Sequence, residues 1–496
     1  MPKRAISLLV TLALFFGLFG NVSPAHAETT SLREGADQAA ALFDPLRPIK
    51  VSVMRLPGGP ALTRSYLNSP TYRRAAVKIN LYGSSKYVII RDVGVRLKGS
   101  FTSRFHKMSL KIRFDAFVKK QQFKGLKRLT LNAMMQDPSQ VHEVTAYRLF
   151  RAAGVPAPRA GYARVKIDGS YMGLYVNLES IDSKMLARWF PDTEHLYSGP
   201  RPCDLTPGNS CYTANSGTTD RTDLVNVSKL HFLTGKEWWK ELNKKTDIKR
   251  LIDFLATEIF LSHWDGYGDF MRNNHYVHFD KKGKFTLIPW GTDQTFPTEL
   301  KHQLTWNASK PIYLEDSTER SSIINHCLAY DRCEEKLLQA GVRISKLAKR
   351  IDLAGYSQKV VEKINQRPYS KNDTNKVDPK SKRMEQEWIA NYLKQSERSL
   401  INYLRIRRPS RIEVTIETPP TVGKKTVAQA ERVWEPGVTA KYQWFIGSKP
   451  IEGAKTRSLR IIDDFSGRKL KLRITLAKEG VADTVYFTRT YKVRSK

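Results

Sequence analysis

The chain has 496 residues, 41% apolar and 10% aromatic; at roughly 150 residues per domain this is about two to four domains with a sizeable core, not a mostly disordered chain. Glycine (29) and proline (24) are ordinary, which excludes collagen-like and low-complexity architecture. Lysine and arginine number 83 against 48 acidic residues, a net charge of +35, so the surface attracts polyanions: nucleic acid, anionic lipid or anionic wall polymer.

Lys3 and Arg4 precede an apolar run from Ile6 to Gly20, then Ala25-His26-Ala27. This order reads as a secretory signal peptide over 1–27, cleaved after Ala27, and predicts a secreted or cell-surface protein. The run is short for a bilayer span, with an uncleaved N-terminal anchor as the alternative; no later stretch approaches a transmembrane anchor. Export argues against nucleic acid, as do scattered basic residues and the lack of a zinc-finger, RNA-recognition or clear helix-turn-helix pattern. Anionic cell-wall polymer is the more natural counterpart, against a solvated basic surface with no specific partner.

Residues 28–45 read as a polar leader. Alternation then predicts strands over 93–99 and 109–114, and Leu129–Leu131 suggests another. Asp137 as N-cap with Pro138 in the first turn predicts a helix to about Ala153, stopped by Gly154 and Pro156. Residues 163–167 and 171–178 flank Asp168-Gly169 as a hairpin. Residues 183–235 read as loop-rich, 248–263 as a helix, and 276–279 and 285–288 as strands. The stretch 316–406 reads as mainly helical, with a charged break near 371–382. From Arg411 to Lys496 short strands alternate with turns, which suits one small β-sandwich. Four cysteines in an exported chain favour disulfides; of the three connectivities, Cys203–Cys211 with Cys327–Cys333 is the simplest, ahead of a zinc site or a catalytic thiol.

Four segments carry a family resemblance: Arg96-Leu97-Lys98-Gly99-Ser100 with Lys107 and Ser109-Leu110-Lys111; Asn132-Ala133 with Gln136-Asp137-Pro138-Ser139; Gly154-Val155-Pro156-Ala157-Pro158 with Gly173-Leu174-Tyr175 and Glu179; and Asp265-Gly266-Tyr267 with Asn273-Asn274-His275-Tyr276, then Ile288-Pro289-Trp290-Gly291-Thr292-Asp293. In order and spacing they resemble the CotH-type kinase family, the spore-coat-protein-H-like atypical kinases, over residues 46–408. The run Tyr442–Ala454 around Trp444, with Gly467 and Lys469–Arg473, resembles a bacterial Ig-like module. The resemblance implies an α+β chain: a divergent protein-kinase-like catalytic domain over 46–408, then a small all-β Ig-like sandwich over 411–496. It implies transfer of the ATP γ-phosphate, with Mg²⁺ or Mn²⁺, to Ser or Thr of an envelope or secreted protein.

Phosphoryl transfer needs a loop over the phosphates, a cation on them, bound metal, and a carboxylate near the incoming hydroxyl. Gly99-Ser100 is a turn after a strand, suited to phosphate, or an ordinary hairpin turn. Lys107 and Lys111 share a strand face with Ser109, and the resemblance has one of them reach the phosphates, against a solvated basic face. Glu143 is placed to orient such a lysine; it and His142 equally suit a plain helix surface. The resemblance puts the catalytic aspartate at Asp265, with Asp269 as a rival because Asn274 follows it by five. Asn273 or Asn274 offers an amide oxygen to the metal. Asp293 stands where kinases hold a metal-binding aspartate, or caps a turn. The family's Asp-x-Asp reads Gly291-Thr292-Asp293 here, one carboxylate short, which opens a second reading: a weak or inactive kinase-like scaffold on anionic wall polymer. Gly291→Asp is expected to tighten metal binding if the backbone at 291 does not need positive φ.

Overall fold

A computed structural model describes residues 37–99, 107–200, 202–269, 271–296, 320–366, 377–407, 414–416, 419–430, 439–478, 481–488 and 490–495. The signal peptide expected over 1–27, and Ser100, lie outside the described residues.

Seven strands close a barrel: β1 (Ile49–Met54), β2 (Arg73–Asn80), β3 (Val88–Leu97), β4 (Leu110–Arg113), β5 (Arg128–Asn132), β6 (Ala160–Ile167) and β7 (Ser170–Leu178), in the order β1-β2-β3-β4-β5-β7-β6. Parallel pairing of β1 with β6 closes it and leaves no open edge. Alternate residues point inward, so Val51, Val77, Val95, Ile112, Leu131 and Val165 fill the interior. A one-turn helix, α1 (Arg64–Leu67), lies between β1 and β2. The expected hairpin is present: Asp168 and Gly169 have φ of 45° and 86°, as a type I′ turn requires. The three expected strands fall on β3, β4 and β5, and β3 begins earlier than alternation alone suggested, at Val88.

Helix α2 (His142–Ala152) starts later than Asp137. Asp137 is no N-cap. Its carboxylate accepts from the Gln140 and His142 N–H groups and the Ser139 hydroxyl, organising a turn in which Gln140 has φ 65° and interrupts helix. Gly154, at φ 78°, ends α2 as expected. The polar leader is not separate at its end. Leu42 and Phe43 are buried, and the Leu42 carbonyl accepts from Asn177 Nδ2 at 2.8 Å.

Residues 183–235 are more structured than expected, with α3 (Ser183–Trp189), β8 (His195–Gly199), β9 (Thr213–Ser216) and α4 (Thr222–Ser228). Then come α5 (Gly235–Lys245), α6 (Ile248–Leu261), β10 (His275–Phe279) and β11 (Phe285–Pro289), the strands forming one sheet ordered β11-β10-β8-β9. Helices α7 (Ser322–Leu328), α8 (Asp331–Arg350), α9 (Leu353–Asn365) and α10 (Pro379–Arg407) complete this part. Its core includes one face of α2, where Phe150 meets Phe254 of α6 at 6.0 Å between ring centres. Helix α2 thus packs on both the barrel and the helical core, and what it carries sits at their junction.

Both expected disulfides are formed, Cys203–Cys211 and Cys327–Cys333. Among the described residues no helix is long and apolar enough to cross a membrane. The tail is all β. A three-stranded sheet, β12 (Val414–Ile416), β13 (Lys425–Ala430) and β16 (Ser458–Arg460), accompanies a five-stranded one, β14 (Thr439–Ile446), β15 (Lys449–Pro450), β17 (Lys469–Lys478), β18 (Val481–Phe487) and β19 (Tyr491–Lys492). Their shared core holds Trp444, whose indole N–H donates to the Thr456 carbonyl at 2.9 Å.

Candidate functional site

One end of the barrel faces α2. There Ser109 donates to Asn132 Oδ1 (3.2 Å), and Asn132 Nδ2 donates to Glu143 Oε2 (2.5 Å). Glu143 is buried, and its other oxygen, Oε1, has no hydrogen-bond partner among the described residues. Burial first, and the Asp293 carboxylate second, push its pKa up to about 8, against Lys98 and the Asn132 hydrogen bond. Asp293 is raised too, by burial, with Lys98 again opposing. The Asp293 carbonyl accepts from His142 Nδ1 at 2.8 Å, and the His142 ring meets Phe296 edge to face. Tyr147, one helical turn beyond Glu143, is fully buried, and burial with these two carboxylates holds its hydroxyl protonated well above the ordinary value. Lys98 is half-buried, its ammonium 5.4 Å from the Trp290 ring centre.

The second group grows from the end of α6. Ser262 ends the helix in left-handed backbone, φ 48°. Glu258, on the last turn, accepts from the backbone N–H of Tyr267 (3.2 Å) and Gly268 (2.8 Å), and its Oε1 lies 3.2 Å from His263 Nδ1. Burial opposes charge on His263, but Glu258 outweighs it, with smaller help from Asp265 and the Gly291 backbone, so its pKa is raised. A side chain at Gly266 would start 2.4 Å from Glu258, so glycine is needed there. In the loop so formed, Asp265 accepts from Asn273 Nδ2 at 3.0 Å and Asn274 Nδ2 at 2.5 Å. Both asparagines therefore serve Asp265, while the rival Asp269 is buried with its carbonyl accepting from Arg272 N–H.

The two groups meet at Gly291. It has φ +54°, and a Cβ there would lie 2.6 Å from Asn274 Oδ1. The condition on Gly291→Asp is thus not met: the backbone needs positive φ and Asn274 fills the space. Asn274 is in turn fixed by its carbonyl, which accepts from Trp290 N–H at 2.9 Å.

Gly99 is an exposed turn residue at φ 76°. Lys107 is fully buried; its ammonium donates to the Leu174 carbonyl at 2.5 Å and lies over the Tyr175 ring. Lys111 is half-buried; burial, then Arg96, Lys98 and Arg128, lower its pKa to about 8. The lysine that acts on both Glu143 and Asp293 is Lys98, which sequence reasoning passed over, with Tyr147, Glu258 and His263. Its signal was present: Lys98 immediately precedes the Gly99 turn.

No cluster of three or more His, Cys, Asp or Glu side chains able to hold a metal occurs among the described residues. Glu143 and Asp293 are both buried and both raised, Glu143 in part by Asp293 and both by Asp137, and among the described residues one Glu143 oxygen has no hydrogen-bond partner. Asn274 presents its amide oxygen to Gly291, two residues before Asp293, and oxygens of this kind suit a hard cation that keeps much of its water shell.

A family model described as CotH kinase protein matches residues 95–408. The chain belongs to the CotH kinase family. It is 25% identical over 338 residues to the inner spore coat protein H of Bacillus subtilis (strain 168), covering 64% of this chain and 88% of that one. It is 41% identical over 56 residues to the inner spore coat protein H-like protein of the same organism, 11% of this chain and 18% of that one. Among solved structures it matches the Helicobacter pylori proinflammatory kinase CtkA at 11% identity and TM-score 0.28, over 56% of this chain and 90% of that one, an overlap too low to carry an argument. The family match begins within β3, so β1, β2 and the start of β3 precede it yet close the barrel.

Proposed function

We propose that this chain is an exported kinase that passes the γ-phosphate of ATP to a Ser or Thr hydroxyl of an envelope or secreted protein, using Mg²⁺ or Mn²⁺. The observation that carries the reading is the meeting of the Glu143–Asp293–Lys98 charge group with the Asp265–Asn274 loop at Gly291. Asp265, aimed by two amides, accepts the proton of the incoming hydroxyl. Asp293 and the Asn274 amide oxygen hold the metal, which when bound neutralises charge on the phosphates. Glu143 orients Lys98 towards those phosphates, and the Gly99 turn offers backbone N–H groups. Lys111 adds positive charge beside Lys98.

The disulfides suit an oxidising compartment, and the relative's name places that protein in a spore coat. The tail we read as an Ig-like module that contacts the envelope, with anionic wall polymer as a partner of the basic surface. Gly291 favours a second reading, a catalytically weak scaffold, because the 291–293 turn carries a single carboxylate. Incubation with γ-labelled ATP and either metal separates the two: label incorporated by the wild type and lost in Asp265→Ala selects the kinase, and wall binding without label selects the scaffold.

A further inference from the structure

The Cys203–Cys211 disulfide closes a loop whose hydrogen bonds run to the Asp265 loop. Cys203 N–H donates to the Arg272 carbonyl at 2.9 Å. Asp204 accepts from the Tyr267 hydroxyl at 2.9 Å and, on its other oxygen, from Ser322 N–H at 2.7 Å. Tyr212, next to Cys211 and buried, has its hydroxyl 2.9 Å from His275 Nε2. His275 is itself buried against the Tyr212 and Tyr267 rings, surroundings that favour a neutral imidazole. Its Nδ1 lies 2.9 Å from the Asn273 carbonyl, which only accepts. The hydrogen therefore sits on Nδ1, Nε2 accepts, and the Tyr212 hydroxyl donates. Asn273 then donates its side-chain amide to Asp265. Tyr267 and Tyr212 pack edge-on against the imidazole, and a side chain at Gly199 would start 2.4 Å from it, so the ring has one seat.

We infer that Tyr212, seated by the Cys203–Cys211 disulfide, is a positioning residue for Asp265, acting through His275 and Asn273. The inference rests on the phosphotransfer reading for its activity arm only. Outer partners that orient a working side chain typically matter by about 10- to 100-fold. Nothing in this chain touches substrate except at its far end, so its loss lowers kcat and leaves KM for ATP in place.

The test uses the full chain with three variants: Tyr212→Phe, Cys203→Ser/Cys211→Ser, and the triple. Tyr212→Phe is expected to lower kcat about tenfold at unchanged KM, and the triple variant to be no slower than the slower of its parents, because both act through one chain. A disulfide that merely adds stability gives additive losses and a lowered Tm without a kcat–KM split, which overturns the inference. Nitrogen NMR of His275 reads the same chain without activity. The Nδ1–H tautomer with a hydrogen-bonded Nε2 is expected in the wild type, and loss of the Nε2 hydrogen bond in Tyr212→Phe. An Nε2–H tautomer in the wild type overturns the chain even if no phosphotransfer is found, whereas the expected tautomer without any label transfer leaves the chain standing and removes the kinase reading.

Discussion

Two carboxylate groups flank Asn274 and Gly291, and they are built in opposite ways. Asp265 is half-buried, and each of its oxygens accepts an amide hydrogen from a neutral side chain. Glu143 and Asp293 are both raised by burial, with Asp293 adding at Glu143 and Asp137 at both, Lys98 opposing, and one Glu143 oxygen without a hydrogen-bond partner among the described residues. A carboxylate with two amide partners is aimed and still has lone pairs for a hydroxyl. A pair of crowded, desolvated carboxylates stores a demand for positive charge. Under the proposed phosphotransfer the first would accept the proton and the second would hold the cation that meets the phosphates, and each variant breaks one side of that contrast.

The largest effect belongs to Asp293→Ala. One unit charge at about 4 Å from a cation is worth roughly 4 kcal/mol at an effective dielectric near 20, before desolvation is subtracted. The variant is expected to lose metal-dependent ATP turnover altogether, read as label transfer across a metal titration. Asp265→Ala is expected to lower kcat by about 10²- to 10⁴-fold while ATP affinity stays within twofold of wild type, checked by equilibrium nucleotide binding beside steady-state rates. Comparable losses of binding in both variants would erase the division of labour.

Glu143→Gln tests the stored charge through stability. Folded Glu143 keeps its proton up to about 8, against 4.5 for an ordinary glutamate. The folded state therefore binds more protons, and stability falls as pH climbs from about 4.5 towards 8. Glutamine does not titrate, so the variant is expected to show a flatter fall of Tm over that window and a higher Tm than wild type at pH 8, with about 2–4 °C per kcal/mol recovered. The smallest effect is Gly291→Asp. A non-glycine residue at φ +54° costs about 1 kcal/mol or more, and displaced Asn274 adds to it. The variant is expected to melt a few degrees lower with no gain in metal affinity, measured by thermal denaturation with and without Mg²⁺.

Local signals made much of this legible from the residues. Alternation exposed β3 and β4, Asp168-Gly169 exposed its hairpin, and Asp265, Asn273, Asn274 and Asp293 stood out through the motifs that carry the family resemblance. What local signals do not carry is register. Lys98, Lys107 and Lys111 look alike in a basic chain; pairing of Leu97 with Leu110, and of Leu110 with Leu131, puts Lys98 in line with Ser109 and, one strand further, Asn132, from where it acts on Glu143. Likewise Asp137 has the form of an N-cap, and only the turn it organises, with Gln140 at positive φ, moves the helix start to His142. The constraint on Gly291 comes from Asn274, seventeen positions earlier in the chain, and the β8 run His195–Gly199 is too short and polar to announce a strand that is central to its sheet.

The most direct measurement is the proton count on binding Mg²⁺–ATP. Titration calorimetry near pH 7, in buffers of different ionisation enthalpy, reads protons released per nucleotide. Because Glu143 holds its proton up to about 8 even with Lys98 opposing, a divalent cation added at this site is expected to release close to one proton per Mg²⁺–ATP bound, abolished in Glu143→Gln and diminished as pH rises past 8. Binding with no proton release in the wild type, or the same release in Glu143→Gln, would contradict it.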